Sequence, residues 1–479
     1  MVIDNANKRD DLIRYQRDLN LPNWKVLVTT RATVDELPTK RIETLSPENA
    51  QKLFGTYCKV TTAEADLLEQ LLKEVAYHTL VIELLAKSLK KLSRKGYTLN
   101  DLIQDLSTQG ILQLSASGKI NTTFQGIGEQ KPQAIIRSMF NIDPLPGEEQ
   151  HILQQLSVLP PSPMPYQLVS YLLKIGDEKE DVFDEHLEDL LMKGWLEYDD
   201  EQRLYRMHPL IQEVIRDRME LVYESFVPLI RQIKRGLDHE KLSTQMMFIP
   251  LAESVSSYIP TEHEGMAGMW FSLSDTYRTL GNLLQAWVWM EKSHDVYLQQ
   301  GPSDMLAVIY ERLGTMSQAQ GKFEQARQYF EQYNQLTEEL YEANPHNESL
   351  KNGLAISYSK LGEISQAQGK FEQARQYFEQ DLKLTEELYE ANPLSLENVN
   401  GLALSYANLA RSYQALGEIS RAHELYLQAQ KIWIQLKEQT GIPKFEGYLE
   451  TLAKDLEKIG QQKDASKPKK GWWRRWRGE

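Results

Sequence analysis

The chain has 479 residues, 41% hydrophobic and 25% charged, which excludes a disordered polymer and exceeds what one hydrophobic core serves. A formal net charge of −14 disfavours general attraction to nucleic acid unless basic residues cluster locally. One cysteine, Cys58, leaves no internal disulfide to form, no apolar run reaches bilayer length, and the first twenty residues are polar. These features read as a soluble, cytoplasmic protein.

Two short valine-containing runs open the chain, "MVIDNAN" and "WKVLVTTR". Both are too short for amphipathic helices and read as buried parallel strands. They deliver Asp4 and Arg31 to their C-terminal ends, where open α/β sheets bind ligands. An Asp-Asn pair after a strand is also an ordinary turn, so neither run assigns a site by itself. Helical patterns follow at "LSPENAQKLF" from Leu45 and "YHTLVIELLAKSL" from Tyr77. Further on, "DEHLEDLLMKGWLEYDDEQRLYRMHPL" gives an amphipathic helix and two short strands, 195–198 and 203–207, turning at Asp199-Asp200. Helices followed by a hairpin describe a winged helix over 145–220. His208 precedes Pro209, which suits the first turn of a helix, so a helix-start role stands beside a ligand role. Many acids and no basic stripe argue against this segment reading DNA.

The order Asp4, Arg31, the 45 and 77 segments and Met207-His208 resembles the NB-ARC module of signal-transducing STAND ATPases. The resemblance covers about residues 1–220. It implies a magnesium-holding role for Asp4, γ-phosphate sensing by Arg31 and a contact of His208 with the β-phosphate of ADP. Two departures stand out. His78-Thr79-Leu80 replaces the family's adenine-contacting G-L-P-L, and no G-x-x-x-x-G-K-[ST] phosphate loop occurs in these residues. Gly118-Lys119 lacks the upstream glycine and is followed by Ile120. The segment thus reads as a partial nucleotide-binding remnant, as though the first part of the module were missing. No cofactor is firmly expected; ADP or ATP with magnesium follows from the resemblance, with Asp4 as a metal ligand only if a phosphate loop comes from elsewhere. No catalytic constellation is readable, and the isolated chain is not expected to be an enzyme.

The C-terminal half repeats itself. "SQAQGKFEQARQYFEQ" runs from Ser317 and from Ser365, and "TEELYEANP" from Thr337 and from Thr385, a period of 48. Phe323, Ala326, Phe330, Tyr333, Leu336 and Leu340 advance by three or four, one face of a helix that Asn344-Pro345 ends. Leu354, Tyr358, Leu361 and Ile364 start the next stripe, which Gly369 breaks. Glycine and alanine recur together at Gly281 and Ala286, Gly321 and Ala326, Gly369 and Ala374, and Gly417 and Ala422. Each unit is a helical hairpin that must stack on neighbours to bury its apolar face. With Leu313-Gly314 and Leu361-Gly362 on the first helices, and Leu409-Ala410 as a variant, the array resembles tetratricopeptide repeats.

Such an array is either a rigid spacer or a groove for a protein or peptide. One face of the first helices collects Val308, Glu311, Thr315, Gln318 and Ala319; then Ile356, Ser359, Glu363, Gln366 and Ala367; then Leu404, Ala407, Arg411, Gln414 and Ala415. Stacking aligns these into a mostly polar partner-binding groove. The end of the chain reverses the charge: Lys467, Lys469, Lys470, Arg474, Arg475 and Arg477 surround Trp472, Trp473 and Trp476. That composition suits weak contact with an anionic membrane or RNA, or simply a solvated end.

The expected architecture is mainly α, with seven segments. These are a partial nucleotide-binding α/β segment at 1–55, a helical domain at 56–144, the winged helix at 145–220 and a helical connector at 221–264. A four-repeat α-solenoid at 265–440, a C-terminal helix at 441–460 and a basic tail at 461–479 complete it. The expected function is a STAND-like regulator whose repeats hold a protein partner. The alternative is a nucleotide-independent repeat scaffold.

Overall fold

A computed structural model describes residues 2–3, 27–28, 45–75, 77–109, 142–143, 145–176, 180–199, 201–259 and 263–466. Asp4, Arg31 and the basic tail from Lys467 lie outside them. Nineteen α-helices against two small sheets make the described chain mainly α. It divides into two compact units, Met1–Leu273 and Ser274–Glu479.

In the first unit, β1 (Val2–Ile3) and β2 (Leu27–Val28) pair in parallel, as the two valine-containing runs predict. Four helices follow: α1 (Pro47–Tyr57), α2 (Ala65–Glu74), α3 (Thr79–Leu92) and α4 (Leu99–Gln109). Ser46 caps α1 and Pro47 occupies its first turn, where a missing N–H costs nothing. Phe54, Leu71, Leu72, Ile82 and Leu102 meet in a core that also takes Leu210 and Val214 from a later helix.

Next come α5 (Gly147–Ser157), β3 (Met164–Pro165), α6 (Tyr166–Leu172), α7 (Glu180–Met192), β4 (Glu197–Asp199), β5 (Leu204–Arg206) and α8 (Pro209–Arg218). The antiparallel sheet has the order β3-β5-β4. The hairpin forms about where the sequence places it, with each strand shorter than expected. Trp195 and Leu196 are buried ahead of β4, and Asp199 Oδ1 closes the turn by accepting from the N–H groups of Glu201 and Gln202 at 3.0 and 2.9 Å. Buried Gln212 of α8 donates to the carbonyls of Leu156 and Leu159 at the end of α5, joining the two helices where backbone groups would otherwise go unpaired. Two further helices, α9 (Tyr223–Leu237) and α10 (Leu242–Tyr258), pack together, and α11 (Glu264–Thr279) follows.

The second unit is an α-solenoid. After α12 (Leu283–Gln300) come three helix pairs: α13 (Asp304–Ala319) with α14 (Phe323–Ala343), α15 (Glu348–Ala367) with α16 (Phe371–Ala391), and α17 (Leu396–Ala415) with α18 (Ile419–Thr440). Ser303, Asn347 and Ser395 cap the first helices through side-chain oxygens. Gly321, Gly369 and Gly417 turn each hairpin at φ of 74°, 74° and 84°, a region that disfavours side chains. The same buried bond recurs between repeats, Thr337 Oγ1 to Ser357 Oγ and Thr385 Oγ1 to Ser405 Oγ, each 3.2 Å.

Two expectations need correction here. Phe323 is 41% exposed rather than part of the apolar face, because it starts α14 before the helix reaches its neighbour. The last helix, α19 (Pro443–Ser466), runs past 460, since Gln461 to Ala465 are tolerated in a helix and the first proline beyond is Pro468. Its Phe445, Leu452 and Ile459 cover Tyr426, Trp433 and Leu436, closing the open end of the apolar stack.

Candidate functional site: the face of the first helices and the His208 corner

Of the residues expected to face the groove, Val308, Glu311, Thr315 and Gln318 are half-buried on α13. There Glu311 accepts from Thr315 Oγ1 at 2.9 Å and pairs with Arg312. On α15, Ile356 is exposed and Ser359, Glu363 and Gln366 are half-buried. On α17, Leu404, Arg411 and Gln414 are half-buried, whereas Ala407 is 1% exposed, its methyl taken into the core beside Ala403 and Ala410. The ends of the three rows, Ala319, Ala367 and Ala415, are exposed.

Five of these residues meet around an open cavity of about 490 Å³: Ile356, Ser359, Glu363, Leu404 and Arg411. Val308, Glu311, Thr315, Gln318, Gln366, Ala407 and Gln414 do not line it. Gln414 accepts instead from the Tyr426 hydroxyl at 3.1 Å. The cavity recruits residues the spacing argument missed: Asn352, Lys360 and Asn408 from the first helices, Asp381 and Thr385 from α16, Trp433 from α18, and Tyr448 and Thr451 from α19.

Polar bonds fix this wall. Asn408 Nδ2 donates to Ser359 Oγ at 3.3 Å, bridging neighbouring first helices. Arg411 donates to Asn408 Oδ1 at 2.8 Å and pairs with Asp455 at 3.3 Å. Lys360 reaches Glu363 at 3.2 Å. Trp433, held by its Nε1–H to Asn400 at 3.1 Å, packs against Tyr448 with ring centroids 5.0 Å apart. Such a surface offers charge and hydrogen bonds beside the half-buried Tyr448 ring, a combination suited to polypeptide recognition.

The His208 corner lies in the first unit. His208 is buried at the N-cap of α8, where Nδ1 accepts from the Leu210 N–H at 3.2 Å. An accepting Nδ1 leaves the ring's proton on Nε2, and that buried atom has no hydrogen-bond partner among the described residues. His78, at the start of α3, approaches edge-on, 5.7 Å between centroids, and its buried Nδ1 is likewise without a partner. Burial, then the nearness of His78 and Arg206, pushes the His208 imidazole down to about 4; burial lowers His78 as well. Two neutral rings therefore face each other at neutral pH.

Residues 306–347, 354–393 and 402–436 match the family model described as tetratricopeptide repeat. The array is built of tetratricopeptide repeats. The matched segments coincide with the pairs α13–α14, α15–α16 and α17–α18, whose repeat type serves protein–protein interaction. No curated protein matches the chain.

Among solved structures, BtubC (BKLC) from P. vanneervenii is similar at 18% identity and a TM-score of 0.37, covering 45% of this chain and 83% of its own. A Podosopora anserina chain of kinesin-light-chain type, with nearly identical TPR-like repeats, gives 22% and 0.35, covering 44% and 97%. A STAND protein with a tetratricopeptide repeat sensor from Pyrococcus horikoshii aligns over 97% of this chain and 75% of its own, at 16% and 0.22. Likeness at these levels transfers no function.

Among the described residues no helix is long and apolar enough to cross a membrane, and no group of His, Cys, Asp and Glu is arranged to hold a metal ion.

Proposed function

We propose that this chain is a regulatory protein whose repeats hold a protein partner on the first-helix face, beside a STAND-type module in the first unit. The observation that carries the partner role is the open cavity ringed by Ile356, Ser359, Glu363, Leu404 and Arg411, which sets charged and hydrogen-bonding groups beside apolar ones. A spacer has no need of such an opening; a recognition surface does. Support for the module comes from the hairpin-bearing three-stranded sheet with its helices, as in a winged helix, and from His208 at the start of the helix that follows.

ADP fits the described residues at one point. The buried Nε2–H of His208 lacks an acceptor and would donate to a phosphate oxygen, while Asp4 and Arg31 would serve magnesium and the γ-phosphate by resemblance. ADP bound there would supply negative charge and acceptor oxygens to a corner that now holds two neutral rings. The second reading, a nucleotide-independent scaffold, is favoured by one observation: none of the 479 residues form a G-x-x-x-x-G-K-[ST] loop.

Affinity capture from cell extract, comparing the wild type with the Glu311→Ala, Glu363→Ala, Arg411→Ala triple variant at unchanged helicity, tests the partner role. Loss of the same captured protein is expected. Equal capture by both overturns the groove.

A further inference from the structure

The second helices of two successive repeats differ in one buried residue. "FEQYNQLTEEL" from Phe330 and "FEQDLKLTEEL" from Phe378 diverge at three places, and only Tyr333 and Asp381 are buried at both equivalents. Tyr333 fills its site, and its hydroxyl donates to the Gly353 carbonyl at 3.1 Å. The equivalent carbonyl 48 residues on is Gly401, which lines the 490 Å³ cavity together with Asp381. Aspartate in place of tyrosine removes a ring and leaves a carboxyl in a hole.

That carboxyl is 3% exposed. Its neighbour is the Ser405 hydroxyl, and Glu363 adds negative potential from α15. Two cations face the cavity, but Lys360 is engaged with Glu363, and Arg411 with Asp455 and Asn408. Asp381 forms no ion pair among the described residues. A buried carboxylate without a cation is costly, so burial favours the protonated acid.

We propose that this cavity is a pocket for a guanidinium, the head of an arginine side chain carried by the protein partner of the repeats. The assignment rests on the partner-binding reading and specifies the chemistry that partner must present. A guanidinium brings the positive charge and multiple donors that the Asp381 carboxyl lacks, in a planar form that suits the half-buried Tyr448 ring on the same cavity wall. Burial, with a smaller push from Glu363, raises the Asp381 acid to about 7. Entry of a cation therefore expels a proton, and with Lys360 paired to Glu363 and Arg411 to Asp455, Asp381 sets the pH response. Affinity at pH 6 should be about tenfold below that at pH 8.

The test titrates N-acetyl-arginine methylamide into the full chain by saturation-transfer NMR, with the lysine and glutamate analogues as further probes. Asp381→Asn keeps the shape and removes the charge; Asp381→Tyr restores the residue of the preceding repeat, which the same frame accommodates. Expected are arginine binding that is tenfold weaker in Asp381→Asn, absent in Asp381→Tyr, and weaker at pH 6, with both variants melting no lower than the wild type. Equal binding to the wild type and Asp381→Tyr, no arginine binding between pH 6 and 8, or tighter binding of the lysine or glutamate probe overturns the proposal. Unchanged partner capture by Asp381→Tyr also overturns it and leaves the partner role standing; loss of the partner role itself is read separately from the triple variant.

Discussion

His78 and His208 stand edge-on in the first unit, 5.7 Å between ring centroids, each with a buried nitrogen that has no hydrogen-bond partner among the described residues. Both imidazoles are held below their usual value of 6.5, His208 at about 4. A folded value below the unfolded one means that the unfolded chain binds more protons between the two. Stability is therefore complete above pH 6.5 and is lost as pH falls toward 4, by about 3 kcal/mol for His208. Hydrogen exchange in α3 and α8 at pH 7, 5.5 and 4.5 should show progressive loss of protection, reduced in His208→Gln. Protection independent of pH in the wild type refutes the pairing of two neutral rings.

The repeats depend on a different contact. A Cβ built on Gly362 would fall 2.5 Å from Cε1 of Phe378, and one on Gly314 would fall 2.4 Å from Cε1 of Phe330. Both rings are fully buried, so neither can swing into solvent. Gly362→Ala should cost about 1–3 kcal/mol by overpacking. The next repeat carries Ala410 against Tyr426, so the frame can accommodate a methyl where its own packing is built for one. Urea melting of Gly362→Ala checks the cost, and an unchanged midpoint refutes it.

Much of this array was legible because its physics is local and periodic. A glycine in the left-handed region, a proline after a helix and an apolar stripe each declare themselves within a few residues, as at Gly369, Pro345 and Phe378. The cavity was only half legible. Face spacing located Ile356, Ser359, Glu363, Leu404 and Arg411, but Trp433 and Tyr448 come from helices whose approach is decided by packing. Asp381 did leave a signal: it interrupts an otherwise repeated stretch with a charge at a position that Tyr333 marks as core. Ala407 shows the converse failure, since a small residue on the right face sinks between backbones. In the first unit, the place of His208 at a helix start was readable from the Pro209 after it, while the approach of His78 required the fold.

Charge burial makes a third prediction. Glu149 of α5 is fully buried and takes both its bonds from Lys193 Nζ, at 2.8 and 2.9 Å. Lys193 is one-third exposed, so water screens the pair in part. Lys193→Met leaves the carboxylate with His186 Nδ1 at 4.0 Å in place of the ammonium and should cost about 3 kcal/mol, at the low end for a broken buried pair. Adding Glu149→Gln should recover most of it. A double variant as unstable as the single one, in urea melts, places the loss in packing rather than charge.

The basic tail lies outside the described residues, so its prediction rests on composition. Six cations can contribute about 1 kcal/mol each at an anionic surface, and tryptophan favours the headgroup layer. The body's negative charge opposes this but is screened within about 10 Å at ordinary salt. Co-sedimentation with phosphatidylserine vesicles should be weak, salt-sensitive and abolished in a chain ending at Ser466. Equal pelleting of both chains, or of neither at low salt, leaves the tail as a solvated end.

For nucleotides the magnitudes decide in advance. Micromolar affinity requires about 8 kcal/mol, whereas one neutral hydrogen bond such as His208 offers contributes about 1 kcal/mol net. Filling the gap takes the lysine and amide cradle of a phosphate loop, which these residues lack. Calorimetry of the full chain with magnesium should therefore show ADP binding weaker than micromolar, and weaker again in His208→Gln. ATP turnover should be negligible, because phosphoryl transfer relies on positioning and charge that Asp4 and Arg31 cannot supply without that loop. Ordinary turnover abolished by Asp4→Ala, or micromolar ADP binding, would mean that other residues of this chain cradle the phosphates, and the scaffold reading would then give way to a working switch.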